Sequence, residues 1–239
     1  MQAFGRLLDV LDSLRQKCPW DKKQTNESLR PNTIEETYEL CDAIMRGDSH
    51  DMMKELGDVL MHTCFYAMIA REEGLYDIAD VLDAETDKLI FRHPHVYDPS
   101  QVGAKQPRPL PYRPKEAVEA EGGTEQFAKA ETAGEVLKNW EQIKLREKDG
   151  NKTVLSGVPA SLPSLIKAYR IQDKARSVGF DWQKKEDVWA KVHEELAELE
   201  AELAREDKER STAELGDFLF SVINAARLYH LNPENALNR

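Results

Sequence analysis

No run of apolar residues in the sequence approaches the roughly 20 needed to cross a bilayer. The opening stretch MQAFGRLLDVLDSLRQK spaces its apolar residues helically instead of massing them as a secretory leader does. These two absences lead us to expect a cytoplasmic protein with no membrane partner. Cysteine is scarce as well: Cys18, Cys41 and Cys64 are odd in number and show no C-x-x-C spacing, which argues against a disulfide framework or a zinc site. They are expected to be free thiols, buried or half-buried. With only 12 glycines and 11 prolines beside 41% hydrophobic and 32% charged residues, the composition is that of a helix-leaning globular protein and not of a disordered one. Basic residues are in deficit, 33 against 44 acidic ones for a net charge of −11, so no nucleic-acid partner is expected. Any phosphate that binds here would be met through cations.

What is present is helical periodicity. Phe4, Leu7, Leu8, Leu11 and Leu14 recur at helical spacing until Pro19. Two further helical patterns cover about 33–46 and 50–72, and the polar break RGDSH between them suits an antiparallel hairpin. A fourth, about 77–92, carries Ile78, Val81, Leu82, Leu89 and Ile90 and ends at the prolines of RHPHVYDP. Prolines then crowd the stretch up to Pro114, and EAEGGTEQ follows, which reads as an exposed linker. Helical patterning resumes over about 125–148, continues through SLPSLIKAYRIQDKARSVGFDW, and closes with a long stretch from about 186. The expected fold is all-α: a first helical module at 1–98, a Pro/Gly-rich linker at 99–124 and a second helical module at 125–239.

The modules are related. EETYEL at 35–40 returns as EELAEL at 194–199, and ELGD at 55–58 returns as ELGD at 214–217, both displaced by 159 residues. Each copy therefore holds Glu-Glu-x-x-Glu, then fifteen residues, then Glu-x-x-Asp. Glu36 and Glu39, like Glu195 and Glu198, stand i, i+3 on one helix; Glu55 and Asp58, like Glu214 and Asp217, stand i, i+3 on the next. Like charges at that spacing cost a few tenths of a kcal/mol per pair. If the helices pack antiparallel, four carboxylates converge, and such a group does not remain ionised without a cation. All-oxygen ligation suits a hard ion, Mg²⁺ or else Mn²⁺. A plainer reading takes TIEE (33–36) as a capping box with Thr33 at the N-cap, but the second copy has no Ser or Thr at 192, and Glu195 lies well inside its helix. A di-iron carboxylate centre would need Glu-x-x-His, which the sequence lacks. A helical interaction scaffold with solvated or vestigial carboxylates is the reading of a different class, and metal-dependent release of pyrophosphate separates it from an enzyme.

At these motifs, and at CPWDKKQT (18–25), FRHPHVY (91–97), NWEQIK (139–144) and VGFDW (178–182), the sequence resembles the tandem-domain members of the MazG family. The likeness runs over nearly the whole chain. It implies an all-α, Mg²⁺-dependent nucleoside triphosphate pyrophosphohydrolase that forms a nucleoside monophosphate and pyrophosphate, works in nucleotide-pool control and associates as a homodimer. Carried onto this chain, it implies that Glu195, Glu198, Glu214 and Asp217 hold metal in the second copy with Glu194 as base, and that Glu36, Glu39, Glu55 and Asp58 do so in the first with Glu35 as its spare. Lys174, Arg170, Lys88 and Arg92 are candidate phosphate contacts, and Trp20 a candidate base-stacking residue. His93 and His95 read as helix-end structure. The counterparts of Lys88 and Arg92 would fall at 247 and 251, so the second module is expected to lack its last helix. In tandem members the C-terminal copy is usually the catalytic one.

Overall fold

Helix-forming runs separated by good N-caps account for the architecture. The structure, a computed structural model, describes residues 2–97, 127, 129–146, 153–182 and 184–238. Among the described residues every regular element is a helix. The chain divides into two compact units, Met1–Glu119 and Ala120–Arg239. The linker expected at 99–124 lies outside the described residues.

In the first unit, α1 (Gln2–Lys17) gives way to a 3₁₀ turn at Asp21–Lys23. The next helix, α2 (Asn26–Arg46), begins well before the expected position 33. Its cap is Thr25, whose hydroxyl accepts from the Ser28 N–H while the Ser28 hydroxyl accepts from the Thr25 N–H. Thr33 is therefore no cap: its Oγ1 donates back to the Leu29 carbonyl at 3.1 Å and lies 2.6 Å from the Tyr66 hydroxyl. Pro31 falls in the second turn of this helix and removes a single ladder N–H. The α2 helix leads through a tight turn into α3 (Ser49–Glu72), capped by Asp48, and α4 (Ile78–Arg92) follows with a reciprocal cap between Asp77 and Asp80. The core, Leu11, Leu29, Cys64, Phe65, Met68 and Ile69, joins α1 to the start of α2 and the carboxyl-terminal half of α3. Arg15 ties these parts together, donating to Glu72 (Nη2 to Oε2, 2.8 Å) and to the Gln24 carbonyl (3.0 Å). Of the thiols, Cys64 is buried and Cys18 half-buried, but Cys41 is exposed on the outer face of α2, contrary to expectation.

The second unit contains α5 (Ala133–Arg146), which starts later than the expected 125, then α6 (Ser164–Ser177), α7 (Lys185–Ala204), α8 (Lys208–Leu228) and the short α9 (Pro233–Leu237). The repeat holds in three dimensions. Asp207 caps α8 as Asp48 caps α3, and the residue before each cap is left-handed: Gly47 at φ 68° and Glu206 at φ 60°. Only glycine adopts that conformation without Cβ strain. Replacing Glu206 by glycine is expected to stabilise the chain by about 0.5–1 kcal/mol, and Gly47→Ala to destabilise it by a similar amount, both read from thermal melts.

One buried ion pair locks this unit. Arg227 on α8 is 6% exposed and donates to both carboxylate oxygens of Asp181 (3.2 and 2.5 Å) and to Asn224 Oδ1 (3.1 and 2.9 Å). Burial works to raise the Asp181 carboxyl, but the Arg227 guanidinium and the Trp182 N–H hold it below the ordinary aspartate value. A depressed carboxyl adds stability above its unfolded pKa and loses it as the pH falls through the folded one. Removing one member of a fully buried pair costs about 3–5 kcal/mol. Asp181 is 21% exposed, so Asp181→Asn is expected to cost about 2–3 kcal/mol near neutral pH, measured as a fall in Tm, with the deficit shrinking in acid.

Candidate active site

The helical hairpins decide where the carboxylates meet. In the α2–α3 hairpin, carboxylate oxygens of Glu36, Glu39 and Glu55 lie within 4.8 Å of one another. In the α7–α8 hairpin the three are Glu195, Glu214 and Asp217, again within 4.8 Å, so that Asp217 takes part where the counterpart of Glu39 does not. Asp58 and Glu198 stand outside these triads yet act on them electrostatically. Burial pushes the Glu36 carboxyl above its ordinary value, with the charges of Asp58, Glu39, Glu55 and Glu35 adding in that order. Glu214 is likewise raised, by desolvation first and then by Glu198, Asp217, Glu195 and Glu202. Six of the eight motif carboxylates thus meet in two triads, and the other two, Asp58 and Glu198, reach them only through their charge. No ligand other than oxygen is present in either triad, which fits a hard divalent ion.

Two residues were missed by the sequence reading. Lys191 Nζ lies 2.8 Å from Glu195 Oε1 and 3.2 Å from Glu194 Oε1. Its signal, a lysine three and four residues before adjacent glutamates, was legible but looked like ordinary helix-surface pairing. Glu202 is the other: it follows Glu195 and Glu198 on the same helical face, its charge reaches Glu214, and its Oε2 is buried without a hydrogen-bond partner. In the first copy that position is Ala43, fully buried.

The basic candidates fare differently from one another. Lys174 is buried at 4% exposure. Arg170 pairs with Asp173 at 3.2 Å, and Lys88 pairs with Glu85 one turn earlier on α4. Arg92 is half-buried in the last turn of α4. Trp20, next to the 3₁₀ turn, is 57% exposed and so is not a core residue. Glu35 and Glu194 are exposed beside their clusters. His93 closes α4, its Nδ1 2.6 Å from the Leu89 carbonyl, as a helix-end residue should.

Comparison with known proteins gives this geometry its context. Residues 24–97, the α2–α4 part of the first unit, match the MazG nucleotide pyrophosphohydrolase domain. An Escherichia coli protein named nucleoside triphosphate pyrophosphohydrolase is 39% identical across 100% of this chain and 83% of its own length. This chain belongs to the MazG family. A Thermotoga maritima MazG protein, named nucleoside triphosphate pyrophosphohydrolase/pyrophosphatase, is also 39% identical, over 99% of this chain and 80% of its own. An uncharacterised Bacillus subtilis protein is 40% identical over 98% of this chain and 43% of its own. The MazG domain match covers the first acidic cluster, while the full-length MazG relatives extend across the second.

Proposed function

We propose that this enzyme cleaves nucleoside triphosphates between the α and β phosphates, giving a monophosphate and pyrophosphate, with Mg²⁺ (Mn²⁺ as substitute) held by its carboxylate clusters. One observation carries the reading: three carboxylate oxygens are brought within 4.8 Å of one another in each of two hairpins whose acidic motifs lie 159 residues apart, at a cost in like-charge repulsion that a bound cation would offset. Glu195, Glu198, Glu214 and Asp217 would hold metal in the second module, and Glu36, Glu39, Glu55 and Asp58 in the first. Such an ion would supply charge to neutralise the triphosphate and to activate water. The protein's own side chains do the rest. Glu194, exposed next to the buried Glu195, would accept the proton of the attacking water, and Glu35 would take that part beside Glu36. Arg170, Lys174, Lys88 and Arg92 are the proposed phosphate contacts and Trp20 the base contact.

Two further features belong to this proposal. A homodimer is supported by the apolar stripes left outside each hairpin, Met53, Leu56 and Leu60 on α3 and Leu215, Leu219 and Val222 on α8, all more than a third exposed. A cytoplasmic setting in nucleotide-pool control, away from membranes and nucleic acid, is supported by the net charge of −11. Among the described residues no helix is long and apolar enough to cross a membrane.

Hydrolysis in ¹⁸O-labelled water tests the bond that breaks. Label is expected in the monophosphate, as water attack at the α-phosphorus requires, with no orthophosphate released; label in orthophosphate with a diphosphate product would overturn the assignment.

A further inference from the structure

The two clusters are not equivalent, and the difference lies one turn before the acidic motif. Where the second module has Lys191, the first has Asn32. The Lys191 ammonium contacts Glu195 at 2.8 Å and Glu194 at 3.2 Å. Glu195 is also the buried member of the triad whose oxygens lie within 4.8 Å of one another. A buried carboxylate needs a compensating charge, and in the second module a covalently attached one is already there. In the first, Glu36, Glu39, Glu55 and Asp58 have no basic group within ion-pair distance among the described residues.

We propose that Lys191 is a tethered stand-in cation for the second cluster: it compensates Glu194 and Glu195 when no divalent ion is bound and yields its place when one binds. The inference rests on the reading that the clusters hold divalent ions. A hard ion shared among Glu195, Glu214 and Asp217 must take lone pairs on the same carboxylate that Lys191 contacts, and two cations cannot occupy that space without repulsion. The lysine can leave, because its ammonium rides on a flexible four-carbon stem and its side chain is 38% exposed. The consequence is an asymmetry between modules. The second cluster keeps its shape without metal but binds metal against competition. The first binds without competition and is the one that loses most when stripped of metal.

The test is Mn²⁺ binding to the full chain followed by electron paramagnetic resonance, with the first cluster silenced by Glu55→Gln. In that background Lys191→Met is expected to tighten Mn²⁺ binding about five- to tenfold at low salt, with the gain shrinking as salt rises. In excess chelator the same substitution is expected to lower the Tm, whereas Lys191→Arg, which keeps the charge, should leave both quantities close to those of the parent. Lys191→Gln is carried in parallel, so that a folding defect in the methionine variant does not stand in for the answer. Unchanged or weaker Mn²⁺ binding in the neutral variants would overturn the proposal while leaving the metal reading intact. Absence of Mn²⁺ binding to the unmodified chain would overturn both.

Discussion

Glu198→Gln is expected to lower pyrophosphate release by about 100-fold or more, while Glu39→Gln leaves most of the activity in place. The substitution keeps the shape of the side chain and removes one negative charge, so it tests charge and ligation and not packing. Glu198 stands one turn beyond Glu195 on α7, outside the tight triad, and its charge is the largest single contribution from a neighbour to the raised Glu214 carboxyl. Removing it weakens both the holding of a divalent ion and the polarisation of the site around that ion. Glu39 is placed the same way in sequence, but in the structure it is a full member of the first triad. Its loss should therefore damage metal binding in the first module even where turnover is little changed, a split that metal titration beside the activity assay would reveal. If Glu39→Gln alone abolishes turnover, the first module is the enzyme and the ranking of the two copies is reversed.

Magnesium is expected to raise the melting temperature by about 5–10 °C for each occupied cluster relative to chelator. One ion at about 100 times its dissociation constant adds roughly 2.7 kcal/mol to the native state, and a chain of this size gains about 2–4 °C per kcal/mol. The shift should also depend on pH in a definite direction. Glu36 is raised by burial and then by its acidic neighbours, and Glu214 by desolvation and its own. A carboxyl raised in the folded state takes up its proton more readily there than in the unfolded chain. Its contribution to stability is therefore complete below the ordinary value of 4.5 and is lost as the pH rises through the folded value. Without metal, both clusters should weaken the fold as the pH climbs above that point. A divalent ion removes the penalty by stabilising the ionised form, so the Mg²⁺-induced shift is expected to grow between about pH 5 and pH 8. Equal melting temperatures in magnesium and chelator across that range would exclude metal from both clusters.

The helical class, the hairpin turns and the duplicated acidic motif were all readable from residue order, because each depends on interactions spanning only a few positions. The 3.6-residue period of α1, the Asp48 and Asp207 caps and the i, i+3 carboxylate pairs are local facts. One local inference went wrong for a local reason: TIEE at 33–36 offers a cap at Thr33, while the reciprocal cap of Thr25 and Ser28 starts α2 seven residues before that position. Which carboxylates meet was not local. The sequence placed four equivalent acids in each module, yet packing brings Glu36, Glu39 and Glu55 together in one and Glu195, Glu214 and Asp217 in the other. The two hairpins share a backbone plan but not the side chains around it. Lys191 draws on Glu195 in one copy where Asn32 stands in the other, and Glu202 replaces Ala43. Nor could residue order tell that Lys174 is buried and Trp20 exposed, since that depends on what other helices lay over them. Sequence by itself determined the elements and the charges they carry; only the tertiary structure decided which charges share a few ångströms, because rotamers and burial follow from neighbours far away along the chain.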